Sequence, residues 1–336
     1  KAGISVRIRT RRGDISNFVA PRMVGVDDRP MWRGLGRLTV VTDPGDHLVE
    51  VRGRYSAETA RLVRARAGEI VELEYWTPAS IGNVDGLLTL APARRRMGAG
   101  IWPVVAGFAA MGGVALLAQA AAGDQPGAGL SGAVAVLLLV APLAVIVAWS
   151  RIKRRSDRRY RAAVSYEATA DPRTADAGMF LGDGDVPAGV ADANHGVLVV
   201  TATSEQEYVW NGIQVGARPT ADPHAWLPWP ALTIDGVPRP FSWRTWCYRL
   251  PPGPHEVTVT PRPPVPAPGA DGGGTPAAPE CRVAPAVVKV EITAGGVARL
   301  NLRVKSRTEV RGVGGTRTGP TEVVRFDATV SVTQDW

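Results

Sequence analysis

Two kinds of hydrophobic pattern divide this chain of 336 residues. In its outer parts, short runs alternate apolar and polar positions and are broken by Gly and Pro, the pattern of half-buried strands. Val49 and Val51 share one face of such a run, and Val257 and Val259 share a face of another. Strands are also expected at 70–75, 196–209, 297–304 and 323–332, with a short closing strand at 86–90. Residues 56–66 could pass for a helix, but their counterpart at 287–293 is β-branched and alternating, so strand is preferred. Mid-chain the pattern changes. Residues 101–122 and 130–149 are continuously apolar, and each matches the roughly 20 residues a bilayer-spanning helix needs. Only 123–129 separates them, which predicts a transmembrane helical hairpin.

The outer parts are related to each other. Val26-Asp27-Asp28-Arg29-Pro30 aligns with Ile234-Asp235-Gly236-Val237-Pro238. At the same offset, Pro44-Gly45-Asp46-His47 aligns with Pro252-Gly253-Pro254-His255. Leu38, Val40 and Thr42 then fall on Trp246, Tyr248 and Leu250, and 61–75 falls on 288–302. With one residue of slack, 2–9 is placed on 211–218. The Pro-Gly steps predict type II turns, because Gly accepts a positive φ at the third position. The expected fold is therefore mainly β, two related β-sandwich-like modules plus a two-helix transmembrane hairpin. Its parts are a first β domain (1–93), the hairpin with its flanks (94–161), a linker (162–195) and a second β domain (196–336). Within the last, the Pro/Gly/Ala-rich tract 261–280 reads as a disordered loop.

On these residues the repeat unit resembles the PEGA-type module, a small β-sandwich-like domain of bacterial envelope and membrane proteins. The Pro-Glu-Gly-Ala string itself is replaced here by Pro-Gly-x-His. The resemblance covers about 70 residues of each copy and none of the central apolar part. It implies attachment or protein–protein contact and carries over no active site.

Charge sets the expected placement. Residues 94–161 hold ten basic residues against two aspartates, which accounts for the whole net charge of +8. Arg94, Arg95 and Arg96 precede the first run, and Arg151, Lys153, Arg154 and Arg155 follow the second. The positive-inside rule then predicts a bacterial inner-membrane protein with both termini and both β domains cytoplasmic, and Trp102 and Trp149 as interfacial anchors. Such clustering favours anionic lipid over nucleic acid as the electrostatic partner. Small residues four apart (Ala106/Ala110, Ala109/Gly113, Ala118/Ala122) suit close helix packing and a homo-oligomer. Two cysteines, Cys247 and Cys281, are too few for a disulfide framework.

Candidate chemistry is sparse. His47 and His255 occupy equivalent turn positions, but no Cys or His pair has metal-ligand spacing, and neither a metal nor a cofactor is expected. Gly182-Asp183-Gly184-Asp185 lacks the further acidic ligands of a calcium loop. The nucleophile-elbow, P-loop and dinucleotide-binding fingerprints are absent. Six aromatics lie between 226 and 248. Trp246 and Tyr248 alternate onto a core face, whereas Trp226, Trp229 and Trp243 are expected to form an exposed partner or ligand surface. The leading expectation is a non-enzymatic membrane scaffold or assembly protein contacting a protein partner. The rivals are a small-molecule or glycan sensor at the second β domain or the domain junction, the same scaffold with its β domains outside the cell, and an enzyme built around the two histidines.

Overall fold

The structure is a computed structural model. It describes residues 1–9, 22–53, 59–76, 86–93, 176–216, 225–266, 279–312 and 321–335, together with isolated helical positions between 113 and 167. Both β modules belong to one compact unit (Lys1–Thr77, Asp85–Ala93, Ala162–Trp336), and Pro78–Val84 with Arg94–Arg161 forms another.

The described residues of module 1 form eight strands: β1 (Ala2–Arg9), β2 (Met23–Val26), β3 (Arg29–Arg33), β4 (Gly36–Thr42), β5 (Gly45–Arg52), β6 (Thr59–Ala65), β7 (Ile70–Trp76) and β8 (Leu87–Leu90). They form two four-stranded sheets, ordered β4-β1-β7-β8 and β3-β2-β5-β6. Ile4, Val6, Val24, Val49, Val51 and Leu73 fill the core between them. Period-two alternation drives this, since each strand sends its β-branched face inward.

Module 2 begins with β9 (Met179–Gly182), β10 (Gly196–Trp210), β11 (Ile213–Gly216), β12 (Ala225–Trp226), β13 (Ala231–Ile234) and β14 (Val237–Arg239). It continues with β15 (Arg244–Leu250), β16 (Gly253–Thr260), β17 (Val265–Pro266), β18 (Glu280–Val283), β19 (Ala286–Ile292), β20 (Val297–Gly312) and β21 (Thr321–Asp335). Its sheets contain β15-β10-β20-β21 and β14-β13-β16-β19, the strand orders of module 1. The registers agree as well. Gly3 lies opposite Val41 and Ile70, and Val197 lies opposite Arg249 and Val297. Val26 pairs with Val49 and Ile234 with Val257. β1 and β10 each run parallel to one neighbour and antiparallel to the other.

Three expectations are corrected here. The counterpart of β1 is β10, not 211–218, which forms the edge strand β11 as far as it is described. The match made with one residue of slack misled because 211–218 resembles 2–9 in residue type, whereas the strand's place in the ladder is set by pairing. Secondly, the latter part of the supposed linker is folded: β9 pairs with β15, and Asp192 bridges His195. Of the tract 261–280, Pro261–Pro266 is described and β17 pairs with β12, while 267–278 lies outside the described residues.

The third correction is the membrane hairpin, and with it the inner-membrane placement. Among the described residues no helix is long and apolar enough to cross a membrane. Within the two apolar runs only Gly113 and Val147 are described, both helical; Trp102, Trp149, Arg94, Arg95, Arg96 and Lys153 lie outside the described residues. Arg151, Arg154, Arg155 and Arg158 are helical and exposed. A helix that crosses lipid needs an unbroken apolar length of roughly 20 residues, and none of the described helical positions belongs to such a helix.

Candidate functional site

The β2–β3 hairpin turns through Asp27 and Asp28 at φ 50° and 64°, and the β13–β14 hairpin through Asp235 and Gly236 at 53° and 76°. Two successive positive φ values define a type I′ turn, whose twist matches that of the flanking strands. Beside each turn sits the histidine that occupies the equivalent position in the two modules. His47 places Nδ1 2.6 Å from Asp27 Oδ2 and Nε2 2.7 Å from the Asp43 carbonyl. His255 repeats this with Asp235 at 2.6 Å and the Pro251 carbonyl at 2.8 Å. The other oxygen of each aspartate accepts a backbone N–H, from Leu48 at 2.9 Å or Glu256 at 2.8 Å.

With an acceptor at each ring nitrogen, the charged imidazolium is the form that satisfies every contact. Burial opposes the charge, but the hydrogen bonds to Asp27 and Asp43 outweigh it and raise the His47 pKa. His255 is raised in the same way against its own burial. The hydrogen bond from His255 in turn holds Asp235 below the usual carboxylate range. These histidines therefore clasp a hairpin to the turn that precedes β5 or β16. The turns themselves put Gly45 and Gly253 at φ 149° and 129°, more extended than the type II geometry expected, yet still a region that favours glycine.

The second site lies between the modules. Within the sheet β3-β2-β5-β6 the three strands after the exposed edge β3 are buried on both faces: β2 throughout, β5 from Leu48 to Arg52, and β6 at all but one position. One face lines the module 1 core. The other carries Gly25, Leu48, Glu50, Arg52, Ala60 and Leu62, and its Leu48, Ala60 and Leu62 join the hydrophobic core of module 2. Alternation alone reads Glu50 and Arg52 as a solvent face, yet both are fully buried.

Trp226 and Trp229 explain the burial. The guanidinium of Arg52 lies 3.6 Å from the Trp226 ring centroid and 5.4 Å from that of Trp229. It also donates to Glu50 at 2.6 Å and to the Leu227 carbonyl. The Trp226 indole N–H points at Asp28 Oδ1, 3.4 Å away, and Arg262 pairs with the other oxygen of Asp28 while donating to the Trp229 carbonyl. Gly25 is required by this packing, because a Cβ there would lie 2.7 Å from the Trp226 ring and 2.8 Å from Glu50 Oε1. Burial pushes the Asp28 carboxyl up to about 6, against the pull of Arg262 and Arg52. A buried arginine of this kind is stable only because carboxylates, a carbonyl and aromatic faces replace its water.

The expected exposed aromatic surface is thus corrected. Trp226, Trp229 and Trp243 are 0%, 6% and 5% exposed. Their rings are consumed within the chain, Trp226 against module 1 and Trp229 and Trp243 in the large core. Proline flanks had suggested an exposed loop; instead they hold the 225–230 segment extended beneath the junction. The depression beside it, lined by Leu227, Pro228, Trp243, Arg262 and Phe326 among others, is too narrow to admit even a water-sized sphere. Trp246 and Tyr248 are core as expected, the indole donating to Ser242 at 3.0 Å and the phenol to the Pro240 carbonyl at 2.7 Å.

The remaining candidates are used locally. His195 and Arg249 both contact Asp192, whose carboxyl is held at about 2, chiefly by the Asn194 backbone N–H. Asp183 pairs with Arg244 at 2.6 Å. Both cysteines are free thiols, Cys247 buried and pushed up to about 12 by that burial, and Cys281 exposed. Cys247 sits on β15 and Cys281 on β18, four strands apart in the sheet. That is about 19 Å at the usual strand spacing, far beyond disulfide reach. His224 lies outside the described residues. Comparison with protein-family models, with curated proteins and with solved structures finds no match to this chain.

Proposed function

We propose that the chain is a non-enzymatic scaffold whose two β modules, of the PEGA-like kind, present a fixed pair of surfaces for protein–protein contact. One observation carries the reading: the modules are locked by a fully buried Arg52–Trp226 contact with Asp28 and Glu50 around it. Such a junction fixes relative geometry, which a holder of partners needs and a flexible tether does not. Two further features agree with it. The ring nitrogens of His47 and His255 are spent on closing hairpins in separate modules. The junction, where a sensor would need space, is filled by side chains of the chain itself.

Cross-linking mass spectrometry on the full chain purified from its source, beside the junction variant Trp226→Ala, tests this. A scaffold gives cross-links from the same partner protein to both modules, and the junction variant loses those to one of them. Cross-links that survive the variant unchanged, or a stoichiometric small molecule carried by the purified chain, would overturn it.

A further inference from the structure

We infer that the outer edge of β21 is a self-pairing surface, through which two copies of the chain join their large sheets antiparallel about a twofold axis at Ser331. Among the described residues the edge is open from Thr329 to Asp335. β18 covers only Arg325–Ala328 of β21, and its pairing ends where the Ala284 N–H reaches the Ala328 carbonyl at 3.2 Å. From Thr329 to Asp335 no described residue pairs with β21 on that side, while its other side is bound to β20 throughout.

The direction of the free groups follows from that last bond. The Ala328 carbonyl faces outward, the N–H and C=O of one strand residue point to the same side, and successive residues alternate. Val330, Val332 and Gln334 therefore turn their backbone groups outward, with no register shift on this stretch of β21. The side chains alternate perpendicular to this. Thr329, Ser331 and Thr333 are exposed on the polar face, and Val330 and Val332 are partly buried against the module 2 core.

The segment Thr329-Val330-Ser331-Val332-Thr333 is a palindrome. Reversed about Ser331, it sets Val330 against Val332 of a second copy in the hydrogen-bonded positions, so that each such pair exchanges two backbone bonds. Thr329 then meets Thr333, and Ser331 meets its own symmetry mate, in the close non-hydrogen-bonded positions. Valines continue the core face and hydroxyls continue the polar face across the junction. An arbitrary peptide would satisfy the backbone alone; a second copy satisfies backbone and both faces, as an isologous twofold contact requires.

Nothing on the segment discourages the contact. Exposed edges are ordinarily blunted by charged side chains, Pro, bulges or shortness, and 329–334 carries no charge, proline or bulge. The equivalent edge in module 1 is blunted: β8 is four residues long and is followed by Pro92.

The test is the mass of the full chain by analytical ultracentrifugation over a dilution series, with two variants on the exposed face. Wild type should dimerise reversibly. Ser331→Lys opposes two ammonium groups on the axis and should raise the dissociation constant at least about tenfold while leaving the circular dichroism and melting of the monomer unchanged. In a Cys281→Ser background, Ser331→Cys should give an interchain disulfide on mild oxidation, because the Cα separation of such a pair falls within disulfide reach. Lys305→Cys, one strand inward, should not cross-link. A wild-type monomer at every concentration overturns the inference, as does a dimer indifferent to Ser331→Lys, or one in which Ser331→Cys fails to cross-link.

Discussion

Removing the Trp226 ring should loosen the junction between the modules, and the size of the effect can be worked from its surroundings. Trp226 is fully buried, with the Arg52 guanidinium 3.6 Å from its centroid. Truncating a buried tryptophan to alanine costs about 3–5 kcal/mol, part of it transfer and part cavity. Loss of a desolvated cation–π contact accounts for about 2 kcal/mol within that total. Gly25→Ala acts on the same contact from the other side, since its Cβ would press 2.7 Å from the ring and 2.8 Å from Glu50 Oε1. Overpacking of this kind costs about 1–3 kcal/mol. The two penalties share one cause, so the double variant should fall short of their sum by at least about 1 kcal/mol. Urea unfolding followed by circular dichroism measures all four corners of the cycle, wild type included. Strict additivity, or a neutral Gly25→Ala, would refute the placement of the ring against β2.

Arg52→Met should cost about 3–5 kcal/mol, because it leaves the buried Glu50 and Asp28 carboxylates without their shared cation; a loss below about 1 kcal/mol on urea unfolding would show that the cluster contributes little. His47 and His255 should both titrate above the ordinary histidine range, each falling when its own partner is replaced by Asp27→Asn or Asp235→Asn; imidazole proton NMR reads this directly. The sign for stability follows. A raised folded pKa means that each clasp contributes fully below about pH 6.5 and is lost as pH rises through the folded value. Melting temperature should therefore decline over that window in wild type, and less so in the double variant Asp27→Asn/Asp235→Asn.

Much of the fold was legible because it rests on local signals. The Val49/Val51 and Val257/Val259 alternation and the equivalent turn positions of His47 and His255 act over a few residues, and β5 and β16 stand where those signals put them. The Pro-Gly steps turn in a more extended form than type II, and the Asp27-Asp28 and Asp235-Gly236 turns are findings of the structure. Long-range choices were not legible. That β1 corresponds to β10 depends on which strand it pairs with, and Ile213 and Val215 match Ile4 and Val6 in type without sharing their place in the ladder. Trp226, Trp229 and Trp243 were read as exposed because prolines surround them, but no local pattern says that a neighbouring module has a glycine at 25 and an arginine at 52 to receive a ring. The apolar runs at 101–149 mark another limit. Apolar length measures what a segment would gain in lipid, and no helix among the described residues is long and apolar enough to cross.

The junction also accounts for a divergence between the two copies. At the positions of Met23, Gly25, Leu48, Glu50, Arg52 and Leu62, module 2 carries Ala231, Thr233, Glu256, Thr258, Thr260 and Lys289. The corresponding strands bury only every second residue, β13 and β16 alternating between buried and open positions where β2 is buried on both sides. Duplicated modules that stack must build a different outer face on each copy, one to receive its neighbour and one to meet solvent. Module 1 received the small residue, the aliphatics and the buried ion cluster; module 2 received threonines and charges. A third module docked on β14-β13-β16-β19 in the same manner would press a tryptophan against Thr233 and find Thr260 where the stacking arginine should be. The face that joins these modules is therefore used up within the pair, and contacts beyond it must be made through edges and polar faces instead.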